Sequence, residues 1–141
     1  MALLWTEITR YHEPIDPLFR MRPDSSGELD EFLRKIMRDP DALILVYELD
    51  ENLIGLCIVR LDYAPAIMHE TVRAQITDLG VSESTRRMGI GTQLVEEALA
   101  WVRTAGVERV EVQVAAGNKA SQAFWRARGF ADLMDVLHKR L

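Results

Sequence analysis

Arg86 and Arg87 are followed at once by Gly89 and Gly91, at the junction between an apolar stretch (Ala74 to Val81) and a long amphipathic one. Those residue types at that spacing suit an anion. Glycine has no Cβ, so the backbone can approach a ligand closely and turn its N–H groups toward it. The first N–H groups of a helix have no partner inside the helix and lie at the positive end of its dipole. The arginines add full charge beside them. The segment Arg86, Arg87, Met88, Gly89, Ile90, Gly91, Thr92 therefore reads as a cradle for a diphosphate.

Spacing separates the known glycine-rich cradles. A P-loop requires Lys and then Ser or Thr after its last glycine, but Gly91 is followed by Thr92 and Gln93. The dinucleotide fingerprint needs Gly or Ala three residues after its second glycine, where this chain has Leu94. It also needs an acidic residue at the end of the next strand, where Ala115, Ala116 and Gly117 stand. What remains is Arg-x-x-Gly-x-Gly. A second segment follows one helix and one strand later, from Asn118 through Phe124-Trp125-Arg126-Ala127-Arg128-Gly129-Phe130. Asn118 suits a helix N-cap, and Gly129 suits the left-handed position that ends a helix.

The two segments together resemble the GNAT superfamily of acetyl-CoA-dependent N-acetyltransferases, closely over the second half of the chain and by element order over the first. The resemblance implies acetyl-CoA as co-substrate, no metal, and direct attack by a primary amine in a ternary complex. It implies that a parallel strand pair splays apart, and that the pantetheine arm enters the gap. There it would pair with backbone of Leu79 and Val81 and face Asn118. Asp78 is the candidate general base, since it stands where many members of the family present their acid residue and a carboxylate can take the amine's proton directly or through water; the alternative is an ordinary end-of-strand Asp that holds a turn, and His69 is the next candidate base. Where the family commonly has a Tyr that protonates the leaving sulfur, this chain has Trp125, whose indole N–H can donate a hydrogen bond but keeps its proton. The general acid is thus unassigned. The acceptor, a small molecule or a peptide or protein amine, is not legible; the loops Tyr11 to Gly27 and Tyr63 to Glu70 should build its pocket. The family's frequent homodimers make a dimer compatible. The alternatives are a non-catalytic acyl-CoA-binding sensor or interaction domain of the same fold, and a plain α/β module whose glycines only make turns.

The elements that must position these residues fit one α/β (α+β) domain, 1–141, long enough to bury about two thirds of its unfolded surface. A formal charge of −5 argues against nucleic acid, which calls for a basic face. Cys57 is the single cysteine, in an apolar strand, where an inert buried thiol is expected. The absence of a long apolar run and of a basic leader predicts a soluble cytoplasmic protein without membrane partners. Leu4–Arg10 alternates weakly and reads as a first strand. His12–Gly27 reads as irregular with a turn at Asp16–Arg20. Glu28–Arg38 reads as a helix, and Leu43–Leu49 and Leu53–Leu61 as a hairpin. Thr71–Val81 is the strand feeding the cradle, Gly91–Thr104 the long helix, and Val107–Ala115 a strand. Asn118–Arg128 is the last helix and Leu133–Lys139 a last strand. A strand, helix, strand succession requires a crossover and hence a parallel pair. The expected sheet is mixed and mostly antiparallel, with helices on both faces.

Overall fold

In the computed structural model, which describes residues 1–141, helices α1 (Ala2–Arg10) and α2 (Ser26–Arg38) precede strands β1 (Ala42–Leu49), β2 (Asn52–Tyr63) and β3 (Val72–Val81). Helix α3 (Ile90–Thr104), strand β4 (Val110–Val112) and helix α4 (Lys119–Arg126) follow. The strands lie in the order β1-β2-β3-β4, antiparallel except for the parallel pair β3–β4. The mixed sheet is as expected. Leu56 and Ile58 of β2 point to one face, where Leu4 and Ile8 of α1 and Leu29, Leu33 and Ile36 of α2 cover them. Cys57 and Val59 point to the other, beneath Ile90, Leu94, Val95, Ala98 and Val102 of α3 and Trp125 of α4. No helix is long and apolar enough to cross a membrane.

A bulge decides what β3 presents. Val59 pairs with Ile76 while Ile58 pairs with Asp78, so Thr77 is an extra residue in the ladder. Side chains alternate along a strand, and one extra residue inverts the alternation. Ala74 and Ile76 therefore face α3, and after the bulge Leu79 and Val81 face it too. Asp78 and Gly80 turn to the α1 side. There Ile8 lies where a Cβ on Gly80 would be, at 2.4 Å, so only glycine lets α1 settle against the strand. The ladder between β3 and β4 joins only Ala74–Ile76 to Val110–Val112. The pairing ends where the bulge begins, so the expected strand Val107–Ala115 is shortened to its middle.

Two expected strands are corrected. Leu4–Arg10 is helical, because a strand's alternation would put Thr6 and Arg10 on the same face as Leu4 and Ile8. A helix instead brings Leu4 and Ile8 together one turn apart, both buried, with Trp5 beside them. Leu133–Lys139 forms no strand: Leu133, Met134, Val136 and Leu137 are exposed, and β4 is paired only with β3. Alternation there puts Asp135 and Lys139 on one face with Leu133 and Leu137, and no neighbouring strand or helix covers the other face of Met134 and Val136.

Candidate active site

The cradle forms where β3 gives way to α3. Its loop is anchored from α1: Glu7 Oε1 accepts bonds from Ser82 Oγ and from the Glu83 N–H, each at 3.0 Å. Arg87 then takes a left-handed backbone (φ 67°), and so does the N-cap Gly89 (φ 81°). None of the N–H groups from Arg87 through Thr92 donates to a protein acceptor, and the ladder of α3 begins with Gln93 N–H to Gly89 O at 3.1 Å. Successive unpaired N–H groups around left-handed residues at the start of a helix are what binding an anion requires. Arg86 is held against its own loop. Its Nε donates to the Val81 carbonyl at 3.3 Å, and its guanidinium lies over the Tyr11 ring at 4.6 Å.

Beside the cradle, the edge of β3 is open. The Ser82 N–H donates to Ile54 O at 2.8 Å. Bonded and non-bonded pairs alternate in an antiparallel ladder, so Val81 and Leu79 aim their N–H and C=O groups away from β2. That is the side β4 has already left. Across the gap, Asn118 is 6% exposed, and its Oδ1 accepts the Ser121 N–H at 3.0 Å, capping α4. Its Nδ2 meets His12 Nε2 at 3.4 Å, while His12 Nδ1 meets Ile8 O at 3.2 Å. Since the Ile8 carbonyl can only accept, Nδ1 carries the proton and Nε2 accepts from Asn118. Tyr11 under Arg86, His12 on Asn118 and Ile15 against Gly117 make the segment that follows α1 a strap from the cradle to the start of α4.

Asp78 lies at the bulge, with Oδ1 accepting from Trp5 Nε1 at 2.9 Å and Oδ2 from Thr77 Oγ1 at 2.7 Å. Across the ladder, the Cys57 thiol is free and buried. Burial, and then the nearby Asp78 carboxylate, push it up to about 12. Trp125 is 4% exposed and packs edge-to-face between Phe124 and Phe130, its indole N–H donating to no protein atom. His69 and the loop Tyr63–Glu70 sit at the opposite end of β3, about 30 Å along the strand from Val81. Two groups at the site carry no sequence signal. His12 is one, brought to Asn118 only by the helical form of α1. Arg128 is the other: its Nη2 bonds Thr92 Oγ1, its Nη1 donates to Phe124 O at 2.8 Å, and its guanidinium stacks 3.5 Å from the Phe124 ring centre.

Residues 5–130 match the family model described as acetyltransferase (GNAT) family. A mycothiol acetyltransferase from Clavibacter sepedonicus is 27% identical over 115 residues, 81% of this chain and 35% of the relative. The chain thus spans about a third of the length of that relative. Among solved structures, a predicted acetyltransferase with acetyl-CoA from Clostridium acetobutylicum superposes with a TM-score of 0.77 at 16% identity, covering 99% of this chain and 88% of that one. An aminoglycoside antibiotic 6'-N-acetyltransferase from Acinetobacter haemolyticus superposes with a TM-score of 0.76 at 19% identity, covering 99% and 90%. At these identities the superpositions speak to the fold.

Proposed function

The chain belongs to the acetyltransferase (GNAT) family, and on that premise we propose that it moves the acetyl group of acetyl-CoA to a primary amine. The observation that carries the reading is the run of unpaired N–H groups from Arg87 to Thr92 beside the open edge of β3. The fit is specific. A diphosphate needs several donors converging without their own acceptors, and the backbone of Met88, Gly89, Ile90, Gly91 and Thr92 supplies them, with Arg86 and Arg87 as cations. A pantetheine arm carries amides that pair as a strand does, and Leu79 and Val81 offer the matching backbone, with Asn118 across the gap. Acetyl-CoA supplies the activated thioester. The protein's part is to orient it, exclude water beneath the strap, and take a proton from the amine.

Asp78 is the candidate for that proton. Trp5 and Thr77 fix its carboxylate at the bulge, next to the point where Leu79 begins the open edge. The sulfur then leaves as a thiolate, which is tolerable because thiol pKa values lie not far above neutral. A Trp at position 125 can only pack or donate a hydrogen bond. That same residue favours a second reading, a non-catalytic acyl-CoA sensor. Turnover separates the two. The names of the relatives put small-molecule amines first among acceptors to try, and a homodimer is compatible with this reading. Acetyl-CoA at a hundredfold excess over Kd should stabilise the fold by about 2.7 kcal/mol, roughly 5–10 °C in Tm for a domain near this size. An acceptor screen should show amine-dependent thiol release. No thermal shift at millimolar acetyl-CoA sinks the proposal, and a shift without turnover on any amine selects the sensor.

A further inference from the structure

Arg128 is a cation without an anion. Five arginines pair with carboxylates and several exposed ones pair with none; Arg128 also has no carboxylate within ion-pair distance, but it is half-buried. Its Nε is fully enclosed and has no acceptor. One side of the guanidinium caps the end of α4 at the Phe124 carbonyl, a favourable place for a positive charge. The other side is carried over the Phe124 ring to Thr92, at the positive end of α3, among N–H groups that are themselves unpaired. Burying a charge is costly unless it is paired, and two positive features held together repel. An anion between them resolves both costs. The Phe124 ring that supports Arg128 also lies against the cradle, 3.6 Å from where a Cβ on Gly91 would be.

We propose that Arg128 is a third cation of the diphosphate site, delivered from the end of α4 and positioned by the Phe124 ring and the Thr92 hydroxyl. The assignment rests on the acetyl-CoA reading above and adds to it a residue outside the glycine-rich segment. It also gives Thr92 two tasks, as a backbone donor to the ligand and as a hydroxyl that holds the arginine. Arg86, engaged with Val81 O and Tyr11, is then not the only side-chain charge on which the site relies.

Calorimetric titration of wild type, Arg128→Gln and Arg128→Lys with CoA, 3'-dephospho-CoA and pantetheine tests this. Gln keeps donors but loses the charge, and Lys keeps the charge but loses the fork. Arg128→Gln should lose about tenfold or more in affinity for CoA and the same factor for 3'-dephospho-CoA, with a shallower salt dependence, because a charge-assisted bond is lost. Pantetheine binding should not change, and Arg128→Lys should recover part of the loss. Thr92→Val, which leaves the charge in place, should weaken CoA binding less than Arg128→Gln; it keeps the test open if the latter melts without ligand. Wild-type affinity in a folded Arg128→Gln overturns the proposal. So does a loss confined to CoA, which would put the arginine on the ribose phosphate. Wild-type protein that binds no CoA at all overturns the acetyl-CoA reading itself.

Discussion

Asp78 is held by two donors on the α1 face of the sheet, and its neighbour Leu79 opens the backbone edge that faces the gap. If Asp78 takes the amine's proton, Asp78→Asn should lower turnover on the order of 10²-fold while acetyl-CoA affinity stays nearly constant. Steady-state rates beside calorimetry would show that split. Trp125 belongs to the core, so Trp125→Phe should cost about 1–2 kcal/mol of stability, less than the 3–5 of truncation to Ala. Turnover below the new melting point should stay within about tenfold, under the 10²–10⁴ expected of a true acid. Denaturant melts and rates on the same sample would check both. Cys57 makes a prediction about pH. Its thiol ionises near 9.0 when exposed and near 12 in the fold. Between those values the unfolded chain has lost a proton that the native one keeps. The stability that depends on the neutral thiol is thus complete below about pH 9 and falls by about 1.4 kcal/mol per unit above it. Cys57→Ala should remove that slope from alkaline denaturation curves, and the native thiol should resist alkylation at pH 8.

At the level of elements, the β1–β2 turn sets Asp50 (φ 48°) and Glu51 (φ 62°) in left-handed backbone. Two such residues fit the tight hairpin turn whose handedness matches the sheet, but a side chain there is strained. Glu51→Gly should therefore stabilise the domain by up to about 1 kcal/mol, raising Tm by about 3 °C, as calorimetry would show. That hairpin, β3, α3 and α4 were legible because each has a strong period, a cap or a turn residue of its own. The cradle was legible for the same reason: Arg86, Gly89 and Gly91 are neighbours in the chain. Residues 4–10 were not, because seven residues with few apolar positions fit two periods, and docking against Gly80 chooses between them. His12 and Arg128 reach the site from separate elements, and the Thr77 bulge shows only in the pairing of β2 with β3. No local pattern encodes any of these.

The whole molecule is a single sheet between two helical layers, and β3 is the one strand with an open edge beside the cradle. Its bulge sends Asp78 to the α1 and α2 layer, while the cradle opens at the start of α3 on the other. If Asp78 receives the amine, the two substrates of the proposed reaction have separate doors. An amine arriving at Asp78 does not need the seat that the diphosphate occupies, so neither guest must depart before the other is admitted. Nor does the acetyl group need a resting place on the protein, and Cys57, buried and hard to ionise, could not serve as one. Initial rates measured against acetyl-CoA at several fixed amine concentrations should give reciprocal plots that intersect. Parallel lines would mean that the acetyl group is parked on the enzyme between two half-reactions, and that the inversion of β3 at Thr77 does not divide the traffic.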